Sequence, residues 1–377
     1  MTFPRRTESN KVVSDMTANE SAIDAHDAVT DEAIETDDPI IRARDVSVTF
    51  DMSRGVSKVL DNANLDIQRN EILGVVGESG SGKSMFASAM LDAVVDPGQL
   101  SGSIEYRPTP DESVQVLETS TRELKKLRWA EISMVFQGAM SSFNPTMSVR
   151  NHFEETLDAH NANHQEGMER AREILLDLYL EPERVLDSYP HELSGGMRQR
   201  TLIALSLVLE PQVLVMDEPT AALDLLMQRS ILQLLSDIKE KYGITLIFIT
   251  HDLPLVAELA DRIAVMYAFE FIEVGPTREI LTDASHPYTR ALLNATPNMR
   301  TPLEEMRPVE GSAPDPVDVP AGCSYHPRCP LATDQCRESD PGYHVVDADH
   351  HAKCFHWEDA AGEIPFSIAG MEGDSDE

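Results

Sequence analysis

Apolar runs long enough to cross a bilayer are missing from this 377-residue sequence. A spanning helix needs about 20 such residues. The polar, acidic stretch Met1–Asp38 has no apolar core, so no signal peptide is expected. These absences predict a cytosolic protein whose membrane link, if any, comes through a partner. Lysine is scarce, with 8 Lys beside 23 Arg, and the formal net charge is -34. Such a surface repels phosphate backbones, so no nucleic-acid partner is expected. The four cysteines all follow Gly322. No disulfide framework can therefore organise the first 322 residues, and in a cytosolic chain structural disulfides are not expected at all.

Acidic residues are plentiful. Met1–Asp38 carries 10 acidic and 3 basic residues, and Glu358–Glu377 carries 7 acidic and none basic. Both read as disordered, solvated tails (1–38 and 358–377). The remaining negative charge is dispersed, which suits a hydrated surface in a salt-rich cytoplasm better than a basic partner. Between the tails lies enough chain for two or three domains, with 41 % hydrophobic residues overall.

Four apolar runs typical of buried strands end in residues suited to phosphates. Ile72–Val76 leads into Gly77–Ser84 (GESGSGKS), Ile132–Phe136 into Gln137, Val213–Met216 into Asp217-Glu218, and Ile244–Thr250 into His251. Ligands of open parallel α/β sheets bind beyond the carboxyl ends of the strands, so one rim can gather all four groups. Around Ile40–Glu118, alternating segments (IRARDVSVTF, ANLDIQ, GSIEY, SVQVLE) predict antiparallel strands. The polar, helically spaced stretch Met147–Tyr189 predicts an inserted helical subdomain. Gly195–Glu210 reads as a buried helix, apolar on most sides. Beyond Gly275 the composition shifts, with 10 of 23 prolines between Pro287 and Pro341. This predicts a separate, loop-rich appendage.

The expected fold is α/β: a P-loop nucleotide-binding domain (39–275) with an antiparallel β subdomain, an inserted helical subdomain (about 138–192), and a small cysteine-containing C-terminal appendage (276–357).

GESGSGKS fits the phosphate-loop pattern between a strand and a helix. Gly77, Gly80 and Gly82 let backbone N–H groups close on phosphates, with Glu78, Ser79 and Ser81 completing the loop. Lys83 would reach the outer phosphates and Ser84 would ligate Mg²⁺. A glycine-rich turn without ligand is the competing reading, which the strand and helix context disfavours. Asp217 is the expected Mg²⁺-side carboxylate, and Glu218 the general base. Taken alone, an acidic pair after a strand also serves as a helix cap. Gln137 and His251 are weak signals singly; their repeated placement at strand ends makes them sensors of metal, water and γ-phosphate.

The stretch LSGGMRQR (Leu193–Arg200) resembles the signature of the ATP-binding subunits of ABC transporters. The Ser194 hydroxyl with the N–H groups of Gly195 and Gly196 makes a second anion site. The resemblance implies a head-to-tail dimer in which this turn closes on the partner's ATP. It also implies that Phe50 stacks on adenine, that Gln137 forms the Q-loop and contributes to Mg²⁺, that Ala222-Leu223-Asp224 form the D-loop, and that His251 is the switch histidine. For Phe50 an ordinary role in a strand core stays open. Across about Ile40–Phe355, the segments SYPHELSGGMRQR, DEPTAALD, ITHDL, HPYTRALL and GCSYHPRCP look like the oligopeptide/dipeptide importer ATPases. Two departures stand out. Gly138 and Ala139 follow Gln137 where that family has an acidic residue and proline, and Phe269 stands where it has glycine.

The resemblance implies an ATPase at the cytoplasmic face of the membrane, energising import of peptides or a related solute. Its expected partners are two permease subunits, a second ATPase subunit (a paralogue by the same likeness) and, indirectly, an extracytoplasmic solute-binding protein. A non-transport ABC ATPase of DNA repair or translation is the alternative, but it predicts coiled coils or basic patches that the sequence lacks. Cys323, Cys329, Cys336 and Cys354 lack the tight pair spacing of zinc sites. Four thiolates on a proline-rich loop can hold an iron–sulfur cube, and the resemblance associates this segment with a [4Fe-4S] cluster. Zinc, with His326 or His356 substituting, and free thiols stay open.

Overall fold

The computed structural model describes residues 38–136, 138, 142–221, 223–295, 309 and 311–364. Gln137 and Ala222 lie outside the described residues, as do 1–37 and 365–377 of the two tails.

Twelve strands form two sheets among the described residues: β1 (Pro39–Met52), β2 (Gly55–Gln68), β3 (Ile72–Val76), β4 (Gln99–Thr109), β5 (Glu112–Gln115), β6 (Ile132–Val135), β7 (Val213–Asp217), β8 (Thr245–Ile249), β9 (Arg262–Tyr267), β10 (Glu270–Pro276), β11 (His344–Asp347) and β12 (His350–Ala352). The first sheet is antiparallel, in the order β2-β1-β4-β5; the second runs β11-β12-β10-β9-β3-β8-β7-β6. Within the second, β9, β3, β8, β7 and β6 pair in parallel. Their near-continuous apolar sequences follow from burial on both faces. Alternate residues serve opposite layers. Leu214, Met216, Leu246 and Phe248 join one core with the helices, while Val213, Val215, Ile247 and Ile249 join another with β1, β2 and β4.

The inserted stretch folds as helices Val149–Ala159, His164–Asp177 and Pro182–Asp187, the first two capped by Ser148 and Asn163 accepting backbone N–H bonds. The expected buried helix spans Gly195–Leu207. No helix among the described residues is long and apolar enough to cross a membrane.

Two expectations need correction. The cysteine-bearing region is not separate: β12 pairs antiparallel with β10 through Glu273↔Ala352 and Val274↔His351, so its hairpin extends the central sheet. The reason is chemical as well as geometric. Fully buried Glu273 accepts from His350 Nε2 (2.9 Å) and from the backbone N–H groups of Ser285 and His286, so the hairpin supplies a partner that a buried carboxylate requires. The acidic C-terminal tail also starts later than 358. Residues Ala360–Glu363 form a short helix, and Arg290 donates to the Ile364 and Ala361 carbonyls, satisfying the end of that turn.

Candidate nucleotide site

The carboxyl ends of β3, β7 and β8 share one rim, because these strands are parallel and adjacent. From β3 the chain turns through Gly77 to the helix Lys83–Ala89. Gly77 has φ 151°, and a Cβ there would lie 2.2 Å from the Met266 carbonyl oxygen, so only glycine fits. Gly80 and Gly82 also have positive φ (83° and 109°). Ser81 and Lys83 are buried at 5 % exposure each. Lys83 Nζ donates to the carbonyl oxygens of Gly77 (2.9 Å) and Glu78 (2.8 Å), folding the ammonium into the loop that its own glycines create. Burial pushes its pKa down, against the opposing pull of Glu218, Asp217 and Glu78.

Ser84 stands beside Asp217, which is 3 % exposed; burial raises the Asp217 pKa, and the nearby Ser84 hydroxyl opposes that rise. Asp217 Oδ1 is buried with no hydrogen-bond partner. A buried carboxylate oxygen left unsatisfied is costly, and a cation is the group it lacks. Beside it, Glu218 adopts φ 47°, a left-handed conformation that costs a non-glycine residue about 1–3 kcal/mol. Its N–H donates to Ile249 O (2.9 Å), which pins this strained residue to the end of β8. His251 Nδ1 lies 3.1 Å from Glu218 Oε1, with the imidazole largely exposed. The structure therefore brings Gly77, Glu78, Gly80, Ser81, Gly82, Lys83, Ser84, Asp217, Glu218 and His251 to one sheet rim.

Other residues expected at the site stand elsewhere. Phe50 is half-buried on β1, its ring against Gly98 and the edge of a core cluster. Ser194 and Asp224 are exposed helix caps, accepting from Met197 N (3.3 Å) and Met227 N (3.0 Å). Met227 joins the two, since a Cβ on Gly196 would meet its Cε at 1.9 Å. Ser194 and Asp224, both exposed, thus form a second constellation with half-buried Gly195 and with Gly196, which is buried against Met227.

Three contributors escaped sequence reasoning. The Tyr288 hydroxyl accepts from Glu78 N (3.0 Å), and Arg328 grips the Glu78 carboxylate. The backbone of Phe269 accepts from Asp61 N and donates to Ser81 O (3.0 Å). Ala268 and Phe269 take φ 48° and 76°, so the turn keeps a glycine-like backbone without glycine. For Tyr288 and Arg328 the only signal was membership in a wider motif, whereas Phe269 stood out as a departure from glycine without its backbone contacts being legible.

Cys323, Cys329, Cys336 and Cys354 line one small cavity with His286, Tyr325, His326 and His356. All four are free thiols. Burial pushes Cys323 up to about 12 and Cys329 up to about 11, and raises Cys354 as well. Among the described residues, no three or more His, Cys, Asp or Glu side chains stand as a ready-made metal-ion site.

Fold and rim together define an ATPase of the ATP-binding-cassette class. Residues 60–221 match the ABC transporter family, and 272–336 match the oligopeptide/dipeptide transporter C-terminal region. The chain is 42 % identical to the dipeptide transport ATP-binding protein DppD of Caldanaerobacter subterraneus subsp. tengcongensis, over 85 % of this chain and 98 % of that protein. It is 36 % identical to the DppD of Escherichia coli, over 84 % and 96 %. Among solved structures it is similar to a dimeric ATP-binding cassette in a post-hydrolysis state with ADP and Pi (TM-score 0.53, 28 % identity, 63 % of this chain and 99 % of that one). The chain belongs to the oligopeptide/dipeptide family of ABC transporter ATP-binding proteins.

Proposed function

We propose that this chain is the ATP-hydrolysing subunit that energises import of dipeptides, oligopeptides or a related small solute. It would work at the cytoplasmic face of the membrane with two permease subunits and a second ATPase subunit, a paralogue, supplied by an extracytoplasmic solute-binding protein. The observation that carries this reading is the rim where Lys83, Ser84, Asp217, Glu218 and His251 meet.

Glu218 takes the proton of the attacking water, and His251 at 3.1 Å orients that carboxylate. Lys83 exchanges its two carbonyl partners for the outer phosphates, which set negative charge beside an ammonium that burial disfavours. The Ser84 hydroxyl and the orphaned Asp217 Oδ1 fit a Mg²⁺ ion, with Gln137 the expected further contact. The ion supplies charge neutralisation of the phosphates. Phe50 would stack on adenine. The turn of Ser194, Gly195 and Gly196, with Asp224 beside it, would close on ATP held by the partner subunit, so that ATP clamps two subunits and hydrolysis frees them. The dimeric architecture of the similar cassette supports this reading.

The four cysteines line one cavity but do not stand as a metal-ion site; with their thiols drawn together they would hold a [4Fe-4S] cluster, which would staple the cysteine segment without taking part in hydrolysis. Protein purified without oxygen should contain iron and acid-labile sulfide and show charge-transfer absorbance; a colourless, iron-free sample removes the cluster. For the transport role, cells expressing Lys83→Ala as their sole copy should lose uptake of labelled di- and oligopeptides. Uptake at the normal rate would contradict it.

A further inference from the structure

Arg328 carries the cysteine segment to the phosphate loop. Arg328 lies on the one-turn 3-10 helix His326–Arg328, between Cys323 and Cys329 of the four-thiol cavity. Its guanidinium forms a two-bonded fork with Glu78, Nη1 to Oε2 at 3.1 Å and Nη2 to Oε1 at 2.9 Å. The arginine side chain is 7 % exposed and the glutamate 24 %. Tyr267 and Tyr325 flank the guanidinium at 5.6 and 5.9 Å from their ring centroids, and both Tyr267 OH and Val309 O accept from it at 3.4 Å. The aliphatic stem rests against Gly311, where a Cβ would stand 3.3 Å from Arg328 Cγ. The charge is thus held at a fixed place, and the planar fork matches a carboxylate as no lysine could.

Glu78 is the second residue of the phosphate loop, and every part of it is engaged. Its N–H goes to Tyr288, its carbonyl to Lys83 and its carboxylate to Arg328. A free carboxylate in that loop would repel a polyphosphate and compete with it for Lys83, at separations where screening is weak. Arg328 counters both effects.

We propose that Arg328 is a positioning residue for the nucleotide, neutralising and pinning Glu78, and that the cysteine segment is thereby part of the structural support of the ATP site. The proposal rests on the ATPase reading above and adds a residue 250 positions along the chain from Glu78.

The test is MgATP hydrolysis by the purified full-length chain, alone or with its partner subunits, read as KM and kcat separately. Arg328→Met should raise KM about tenfold or more while kcat changes by less than about threefold, since uniform binding is lost and not the chemistry. Glu78→Gln added to Arg328→Met should return KM to within about threefold of wild type, because the repelling charge is gone. An unchanged KM in Arg328→Met overturns the proposal. A raised KM that the second substitution fails to restore overturns it too, leaving Arg328 as a mere staple of the appendage. Should Arg328→Met not fold, Arg328→Gln serves with the same expectation, since it keeps a polar head but loses the charge; a wild-type KM there contradicts the claim. Failure of the ATPase reading looks different: wild type and Lys83→Ala would then be equally inactive.

Discussion

Glu218 is held in a left-handed backbone conformation by the bond from its N–H to Ile249, and its carboxylate is met by His251. Strain of this kind persists where the surrounding structure over-determines it. Around it, Lys83 and Asp217 have pKa values moved by burial in opposite senses, both toward the uncharged form, and a Mg-nucleotide relieves both. Lys83→Ala should therefore weaken ATP affinity by about tenfold or more, from loss of charge-assisted bonds, measured by titration with a fluorescent ATP analogue. Gly77→Ala should do more damage, since its Cβ would drive into the Met266 backbone at 2.2 Å. It should lower the thermal midpoint and abolish nucleotide binding together; a well-folded variant that binds ATP would contradict that reading. Most residues of this rim were legible because short motifs carry them. Tyr288 and Arg328 were not, being 210 and 250 positions from the Glu78 they hold. Contacts that distant leave no periodic trace.

At the scale of elements, the parallel strands declared themselves through unbroken apolar runs, and the helices through helical spacing or an all-round apolar composition. Packing between β3 and the helix Leu253–Leu259 depends on Gly74, where a Cβ would meet Val256 Cγ1 at 2.2 Å and Ala260 Cβ at 3.2 Å. Gly74→Ala should cost about 1–3 kcal/mol by overpacking, read from urea unfolding. Gly196→Ala makes a useful contrast. Its clash is with the flexible end of Met227, so stability should hold within about 1 kcal/mol, while the sealing role proposed for the turn predicts a fall in steady-state hydrolysis. Hydrolysis at the wild-type rate would count against the turn as a sealing loop. The extension of the central sheet by β11 and β12 was not legible. These strands have only 4 and 3 residues, and their place is set by the buried Glu273 with which His350 pairs. No local pattern encodes such a partnership. The segment SVQVLE shows the same limit in small: the strand ends at Gln115 and Val116–Glu118 winds into a 3-10 turn, because Val116 is drawn into the core beneath.

For the whole molecule, a net charge of -34 disfavours the compact state through self-repulsion that salt relieves. Raising NaCl from about 0.1 to 1 M should therefore raise the thermal midpoint by a few degrees; a midpoint that falls would mean that attractive ion pairs dominate instead. Lys83, Ser84, Asp217 and Glu218 gather at one sheet rim, while the exposed caps Ser194 and Asp224 stand apart on the surface. The proposed function assigns the first group to the triphosphate and the second to another subunit. The cysteine segment is woven into the same sheet and grips the phosphate loop, so the two regions stand or fall together. The account turns on Glu218 as the base of ATP hydrolysis, and one comparison tests it most directly: ATP affinity and steady-state MgATP turnover of Glu218→Gln beside wild type. The predicted result is affinity within about threefold and turnover lower by about 100-fold or more. Turnover equal to wild type, with ATP bound as tightly, would contradict it.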